Sequence, residues 1–393
     1  MTFDPDVLRR REFPWTLQEP RIYLNNAGTG PLPRRTIETL DSWNARRAQP
    51  WLVSDRDVVF PALRRTRALC AQLVGASPRE IALISNTSYG LSVAAHALPI
   101  GPGDVVLMFE REFPGVVYAW TAIGKTRGFV LRCIPTCDGL ADEDALLAAL
   151  DAPDVRAVVL SWVGFATGYR ADLTRLGQAC RARGIYFVID AIQGVGVSPL
   201  DVHESQVDIL ACGGQKWLLG PWGAGFLYVR ESIITHLQSP IVSWLVGPYG
   251  EDYARLLDYD FTSYDDARRF EVMTLAAQDF AAMGSSIELI LELGVDSIAQ
   301  YVRTLIDRVI EWAHGRSDVR VVTPVEPSRR AGIVLIAPAS PEATSRRLTD
   351  AGVAHSLREG AIRLSPHYYN TEPEIEAALR IFGGASGRRR ARH

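Results

Sequence analysis

The amino-acid sequence predicts an α/β protein, in which a mostly parallel sheet with flanking helices is followed by a smaller α+β C-terminal domain. Between residues 57 and 229, short apolar runs alternate with helical stretches. This alternation is typical of a parallel sheet that is covered on both faces. Each apolar run has the length of a strand, too short for a helix. After about residue 239 the alternation stops, which indicates a second unit.

The elements of the predicted sheet follow in regular order. The first helix, over residues 57–74, ends at Gly75, because glycine readily takes the conformation that closes a helix. Further helices are expected over 88–97, 114–125, 142–150 and 173–183. Strands are expected over 81–84, 104–109, 129–134, 155–161, 185–189, 207–211 and 225–229.

The C-terminal part begins with a loop rich in Gly, Pro, Tyr and Asp that runs to about residue 270. One long helical stretch is expected over 275–314, with strands over 319–322, 332–337 and 361–364 and helices over 342–351 and 372–382. We therefore divide the chain into an N-terminal arm (1–20), a large domain (21–270) whose N-terminal segment contributes to the small domain, a small domain (271–383) and a basic, disordered tail (384–393).

Composition excludes several classes of protein. Apolar residues make up 47% of the 393 residues, charged residues make up 22%, and the net charge is −3, which gives no reason to expect a nucleic-acid or membrane partner. The start, Met1 to Asp6, lacks the basic and apolar segments of a signal peptide. Five scattered cysteines show no zinc-site spacing. We expect a cytoplasmic protein with reduced thiols and no metal.

The chain contains only two lysines, Lys125 and Lys216, beside 40 arginines. A lysine amine can lose its proton and attack a carbonyl, which a guanidinium cannot do. A GC-rich genome would also account for few lysines, but not for their positions. Lys216 follows an apolar run and is the candidate for covalent chemistry, whereas Lys125 lies in the polar Gly124–Gly128 segment.

Two other strand ends carry polar groups. Ile84 is followed by Ser85-Asn-Thr-Ser-Tyr-Gly90 at the start of a helix, where amide groups and the helix dipole favour a phosphate; helix capping would use the same residues. Asp190 ends the strand before Lys216, and it serves either as a cap or as the partner of a cation.

These strand ends meet at one edge of a parallel sheet, where such sheets bind their ligands. A phosphate site, an acid and an amine are the set that pyridoxal 5'-phosphate requires: an anchor, a partner for the pyridine nitrogen and a lysine for the Schiff base.

Four segments resemble the class V aminotransferase family, of the fold type I pyridoxal-phosphate enzymes. They are Tyr23-Leu-Asn-Asn-Ala-Gly28, Val188-Ile-Asp-Ala-Ile-Gln193, Gly214-Gln-Lys-Trp-Leu-Leu-Gly-Pro221 and Arg363-Leu-Ser-Pro-His-Tyr-Tyr-Asn-Thr371. Members include cysteine desulfurases, selenocysteine lyases, kynureninases and isopenicillin N epimerases. The resemblance spans about residues 20 to 383.

The resemblance implies a role for each matching residue. Lys216 forms the Schiff base and moves the α-proton, and Asp190 pairs with the pyridine nitrogen. Gln193 binds the phenolic oxygen of the cofactor. Thr87 and Ser88 hold the phosphate.

Five further residues complete the implied site. Phe113 stacks on the cofactor, although a core position would also suit it, and Gln215 contacts the cofactor beside Lys216. Arg363 binds the substrate carboxylate, for which its planar fork is suited, although a solvated surface position would also suit an arginine. Asn26 contributes to substrate binding. Thr274 touches the phosphate of a neighbouring subunit, which implies a homodimer with shared active sites.

Departures from the family pattern narrow the chemistry. Residues 354–363 contain no cysteine, which disfavours a persulfide-forming desulfurase. Phe113 replaces a stacking His, Phe165 replaces an Asn, and Gly213 replaces a Ser that contacts the phosphate. These changes favour the epimerase-like branch, which includes enzymes of bacterial secondary metabolism.

We expect an enzyme that acts at the α-carbon of an amino acid or an amino-acid conjugate. Lyase chemistry such as C–S cleavage is favoured, and epimerase and aminotransferase activities remain open. A non-catalytic cofactor-binding homologue is the alternative from another class, against which Lys216 and Asp190 argue. A dinucleotide-binding dehydrogenase has only Gly194-Val-Gly196 in its support, without the Gly-rich turn that pyrophosphate needs.

Overall fold

A computed structural model describes residues 3–244, 251–255, 257–259, 262–272 and 274–384. Its helices are α1 Pro5–Glu12, α2 Trp15–Gln18, α3 Arg34–Arg47, α4 Phe60–Val74, α5 Thr87–Ala97, α6 Pro114–Arg127, α7 Glu143–Ala149, α8 Leu173–Ala182, α9 Glu231–Ile234, α10 Ala277–Leu293, α11 Val295–Ala313, α12 Pro341–Asp350 and α13 Glu372–Phe382. Its strands are β1 Ile22–Tyr23, β2 Ile81–Ile84, β3 Val105–Phe109, β4 Val130–Ile134, β5 Thr136–Cys137, β6 Leu140–Ala141, β7 Val155–Ser161, β8 Tyr186–Asp190, β9 Ile209–Gly213, β10 Gly225–Val229, β11 Val319–Val321, β12 Val334–Pro338, β13 Val353–Ala354, β14 Ser356–Arg358 and β15 Ala361–Leu364.

The main sheet has seven strands in the order β2-β10-β9-β8-β7-β3-β4. The pairs from β9 to β4 are parallel, and only β10 runs antiparallel to its two neighbours. Strands β2, β3, β9 and β10 are buried along their whole length, as expected for a sheet between two helix layers. The predicted mostly parallel α/β sheet is confirmed.

A second sheet has four antiparallel strands in the order β11-β12-β15-β14. The N-terminal segment reaches this part of the molecule, because β1 pairs in parallel with β13 through Ile22 and Val353. Beyond β1, Asn25 forms a bridge to Ser365. The mixed C-terminal elements agree with the α+β expectation, while the division at residue 270 stays a prediction.

The predicted helix over 275–314 is wrong as one element. The chain forms α10 and α11, which are separated at Gly294, where φ is +80°. A side chain would strain that left-handed backbone, so glycine allows the second helix to start in a new direction. Helices α1 and α3 were not predicted, because their exposed faces are highly polar; α3 buries only Thr36 and Trp43. Most of the predicted tail, residues 385–393, lies outside the described residues.

No helix of the described ranges is both long and apolar enough to cross a membrane. Over the same ranges, no three His, Cys, Asp or Glu side chains are grouped so that they could hold a metal ion.

Candidate active site

A cavity of about 380 Å³ opens at the carboxyl ends of the parallel strands. Its volume is in the range of small-molecule sites. Eight of the ten predicted site residues line it: Thr87, Ser88, Phe113, Asp190, Gln193, Gln215, Lys216 and Arg363. Three separate strand ends, a helix start and a strand of the second sheet therefore converge here, as the sequence predicts for this edge of the sheet.

The amine of Lys216 lies in a desolvated part of the cavity. The side chain is half-buried, and its Nζ atom lies 5.6 Å from the centroid of the Phe113 ring. Burial is the main reason why the pKa of Lys216 falls to about 8; Asp190 opposes this fall, and Arg363 and Arg358 add to it. An amine that loses its proton this readily is a nucleophile near neutral pH.

Asp190 ends β8 as a buried carboxyl group, 4% exposed. Its Oδ1 accepts a hydrogen bond of 3.1 Å from the amide of Ile192. Burial raises the pKa of Asp190 to about 6, against the lowering effects of the Ile192 amide and Lys216. A carboxylate that is desolvated in this way gains from a cation placed beside it.

The start of α5 presents the hydrogen-bond donors that an anion site requires. The side chain of Asn86 caps the helix by accepting a hydrogen bond of 2.9 Å from the Tyr89 amide. The amides of the first turn, including those of Thr87 and Ser88, have no acceptor in the preceding turn of helix. The buried Oγ1 of Thr87 has no hydrogen-bond partner in the described part of the chain. Such donors at a helix N-terminus suit a phosphate group.

Gln215 occupies the space that a side chain at position 213 would need. A Cβ atom added to Gly213 would lie 2.5 Å from Oε1 of Gln215 and 3.2 Å from Oγ1 of Thr87. A side chain at position 213 would therefore require the Gln215 side chain to move. Gln215 thus lies next to the anion site as well as next to Lys216.

Two aromatic rings form one wall of the cavity. Phe113, the residue before α6, is 40% exposed in spite of its apolar ring. It meets Phe165 edge to face, with 5.3 Å between the ring centroids. The open face of Phe113 is available to a flat ring, because aromatic pairs gain energy from offset stacking.

The amide of Gln193 is fixed at both ends. Its Nε2 donates to the Ala27 carbonyl at 3.1 Å, and its Oε1 accepts from the Trp217 indole at 2.8 Å. An amide nitrogen carries two hydrogens, so one remains for a ligand in the cavity. The carbonyl of Trp217 is held in turn by Nε2 of buried His367 at 3.0 Å.

Arg363 on β15 brings a cation from the second sheet into the cavity. It is 2% exposed, and its Nη1 donates to the Phe165 carbonyl at 3.2 Å. Its buried Nε has no hydrogen-bond partner among the described residues. Burial, with a smaller effect of Arg358, lowers the pKa of Arg363 to about 10. A guanidinium held in this way binds a carboxylate with two of its N–H groups.

Two predicted residues lie elsewhere. Asn26 is fully buried behind the cavity, where its Nδ2 donates to the Ser365 carbonyl at 2.8 Å and its Oδ1 accepts from the Tyr369 hydroxyl at 2.9 Å. The structure thus shows Asn26 bracing the strand that carries Arg363. Thr274 is exposed before α10 and does not line the cavity of its own chain.

Sequence reasoning missed two charged residues, Glu112 and Arg358. Glu112 accepts hydrogen bonds from the amide of Ser161 at 2.9 Å and from its hydroxyl at 2.5 Å, and Ser161 pairs with Asp190 across β7 and β8. Burial raises the pKa of Glu112 to about 7. Arg358 lines the cavity. The only signal for Glu112 in the sequence was its place directly before Phe113. No motif marks Arg358.

The residues present fit pyridoxal 5'-phosphate. The orphan hydroxyl of Thr87 and the start of α5 suit its phosphate, and the desolvated carboxyl of Asp190 suits its pyridine nitrogen. Lys216 supplies an amine with a lowered pKa in the same cavity.

Comparisons with known proteins agree with a pyridoxal 5'-phosphate site. The family model "Aminotransferase class-V" matches residues 22–377. An uncharacterized aminotransferase of Bacillus subtilis, YcbU, is 30% identical over 79% of this chain and 80% of its own length. The isopenicillin N epimerase of Streptomyces clavuligerus is 29% identical, over 90% of this chain and 92% of its own.

A solved structure supports the fold. The chain superposes with a TM-score of 0.86 on a lysine-to-alanine mutant of C-DES that has glycine covalently linked to its pyridoxal-phosphate cofactor. The two share 23% identity, and the match covers 95% of this chain and 98% of the other. The predicted family, fold type I architecture and cofactor class are therefore confirmed: the chain belongs to the class V aminotransferase family, whose enzymes use pyridoxal 5'-phosphate.

Proposed function

We propose that this enzyme removes the α-proton of an amino acid or an amino-acid conjugate and then expels a β-substituent, as a lyase. The observation that carries the proposal is the shared cavity of Lys216 and Arg363, with Asp190 at its base. Arg363 is positioned for the substrate carboxylate. Lys216, an amine of lowered pKa, is positioned to take the α-proton.

The cofactor, when bound, supplies an electron sink for the electrons of the broken α-bond. Asp190 holds the proton on the pyridine nitrogen, because its carboxylate is stabilised by that positive charge. Thr87, Ser88 and the start of α5 hold the phosphate. Arg363 orients the substrate through its carboxylate, so that the α-proton faces Nζ of Lys216.

The proton chemistry of the cavity favours a lyase over an epimerase. Among the cavity-lining residues that the structure describes, the charged side chains are Lys216, Asp190, Arg358 and Arg363. The guanidinium groups stay protonated near neutral pH, and Asp190 is committed to the cofactor. Lys216 alone is left to move protons. A lyase can use one such group for both of its proton transfers. Inversion at the α-carbon instead needs a proton donor on the side of the substrate opposite to Lys216.

Among the described residues, the cavity has no cysteine that could serve as the nucleophile of a persulfide-forming desulfurase. All five cysteines lie outside the cavity: Cys70, Cys180 and Cys212 are buried, and Cys133 and Cys137 are exposed. Burial raises the pKa of the nearest one, Cys212, well above its usual value, so that its thiol stays protonated.

Epimerisation is the second candidate. The 29% identity to isopenicillin N epimerase over nine-tenths of the chain favours it, and the same relative motivates a role in secondary metabolism. We propose further that the enzyme is a cytoplasmic homodimer with shared active sites, in which exposed Thr274 contacts the cofactor phosphate of the other subunit.

The test incubates the holoenzyme with amino acids and S-conjugates of cysteine in deuterated water. A lyase releases ammonia and a keto acid such as pyruvate, and sulfide or a thiol from S-conjugates. An epimerase instead yields the other enantiomer with deuterium at the α-carbon, and an aminotransferase yields a keto acid only with an acceptor. Lys216→Ala should abolish all of these activities, and Lys125→Ala, the other lysine, is the matched control. Turnover by Lys216→Ala at the normal rate would remove Lys216 from the proton transfer.

A further inference from the structure

Arg358 and Arg363 lie on the same face of one β-hairpin. Strands β14 and β15 pair antiparallel, with Arg358 opposite Ala361 and Ser356 opposite Arg363. Directly opposed residues share a face of the sheet, and so do residues two apart on a strand. Arg358 and Arg363 are therefore diagonal neighbours, which are typically about 7–8 Å apart between backbones. Both side chains line the same cavity.

The turn of the hairpin determines the position of Arg358. The turn consists of Glu359 and Gly360, both with positive φ (46° and 75°), which is the tight two-residue connection that matches strand twist. Glu359 also reaches Arg111, on the loop before Phe113, at 3.9 Å. Arg358 is exposed; its guanidinium donates through Nη1 to the Leu357 carbonyl at 2.8 Å, and its other N–H groups bind no residue of the described ranges.

The charges of the cavity leave Arg358 without a counterion. Lys216, Arg358 and Arg363 are its cations, and Asp190 is its only acid among the described lining residues. Within the described ranges, no carboxylate lies within ion-pair distance of Arg358, since the neighbouring Glu359 is directed to Arg111. The charge of Arg358 also helps to lower the pKa of Lys216. An α-carboxylate on Arg363 would leave the second guanidinium free.

We infer that Arg358 determines substrate specificity by binding a second acidic group, so that the substrate is an amino acid or conjugate with a negatively charged side chain. Diagonal neighbours about 7–8 Å apart between backbones suit a short substrate that carries an anion at each end. This inference rests on the proposed function, since it assigns the α-carboxylate to Arg363.

The first test measures binding to the holoenzyme without turnover. Glutarate, with two carboxylates, should bind about tenfold more tightly than butyrate, as expected for one additional charge-assisted contact. Arg358→Gln should remove this difference and Arg358→Lys should retain part of it, because lysine keeps the charge but not the fork. Arg320→Gln is the matched control, since Arg320 is exposed on β11 at the other edge of the same sheet.

The second test compares glutamate with glutamine, and aspartate with asparagine, by α-deuterium exchange. The kcat/KM ratio of acid to amide should exceed about ten in the wild type and approach one in Arg358→Gln, through the KM of the acids. Equal binding of glutarate and butyrate by the wild type, or a difference that survives in Arg358→Gln, overturns the inference. An Arg358→Gln variant that loses affinity for the cofactor while keeping its selectivity assigns Arg358 to the phosphate instead, and also overturns it. If no amino acid exchanges its α-proton but glutarate still binds through Arg358, the proposed function fails and the second anion site stands.

Discussion

The carboxyl group of Glu112 makes the free energy of unfolding of the cofactor-free protein depend on pH. The substitution Glu112→Gln removes this dependence. Its carboxyl group accepts two hydrogen bonds from Ser161, yet burial raises its pKa from 4.5 to about 7, with a smaller raising effect of Asp190. A carboxyl whose folded pKa is raised stabilises the fold fully below its unfolded pKa. That contribution is lost as the pH rises through the folded pKa.

The magnitude follows from the two pKa values. A shift from 4.5 to about 7 means that about 2.5 kcal/mol of unfolding free energy is lost between about pH 5 and pH 8, at 1.36 kcal/mol per pKa unit. Glu112→Gln carries no titrating group and lacks this loss. The free energy of unfolding of the variant, relative to the wild type, should therefore rise by about 2.5 kcal/mol over that interval.

Urea denaturation of the cofactor-free proteins from pH 5 to pH 8 provides the assay. Glu110→Gln removes an exposed carboxylate two residues earlier and controls for the change in net charge. A difference between Glu112→Gln and wild type that stays constant with pH, or that falls as the pH rises, would refute the burial of this carboxyl group.

Three other substitutions test the cavity. Gly213→Ala places a Cβ 2.5 Å from Oε1 of Gln215, the end of a flexible side chain that can move aside, so in urea denaturation it should cost less than the ~1–3 kcal/mol usual for overpacking; a loss above ~3 kcal/mol would show that Gln215 cannot move. Asp190→Asn should stabilise the cofactor-free protein by up to about 3 kcal/mol at pH 8, because the folded pKa of about 6 exceeds the ordinary 3.8. The same variant should lose on the order of 100-fold in α-deuterium exchange, and unchanged exchange would exclude its role at the pyridine nitrogen. Phe113→Ala should weaken cofactor binding by about tenfold in equilibrium dialysis, through the loss of one aromatic stack; unchanged affinity would show that Phe113 does not stack.

The sequence predicted those site residues that lie at or near the ends of strands. Asp190 is the last residue of β8, Lys216 lies three residues beyond the end of β9, and Thr87 begins the helix after β2. Parallel strands bring such ends together whatever the remaining sequence is. The location of the candidate site therefore followed from the strand pattern alone, and the family motifs supplied the roles.

Contacts between distant segments were not predictable. The role of Arg358 depends on the register that sets it opposite Ala361, and the burial of Glu112 depends on Ser161, which is 49 residues away. The glycine at position 213 was visible in the sequence, but the Gln215 side chain that lies against it is a matter of side-chain packing. A single glycine, Gly294, likewise decided between one long helix and two.

The central claim is that Lys216 is the lysine that binds the cofactor. The two lysines of the chain make a direct measurement possible: the purified protein is loaded with pyridoxal 5'-phosphate, reduced with borohydride, digested and analysed by mass spectrometry. We expect a yellow protein that is bleached on reduction, with the added mass on the peptide that contains Lys216 and none on the peptide that contains Lys125. A protein that stays colourless with added cofactor, or that carries the label on Lys125, would contradict the account.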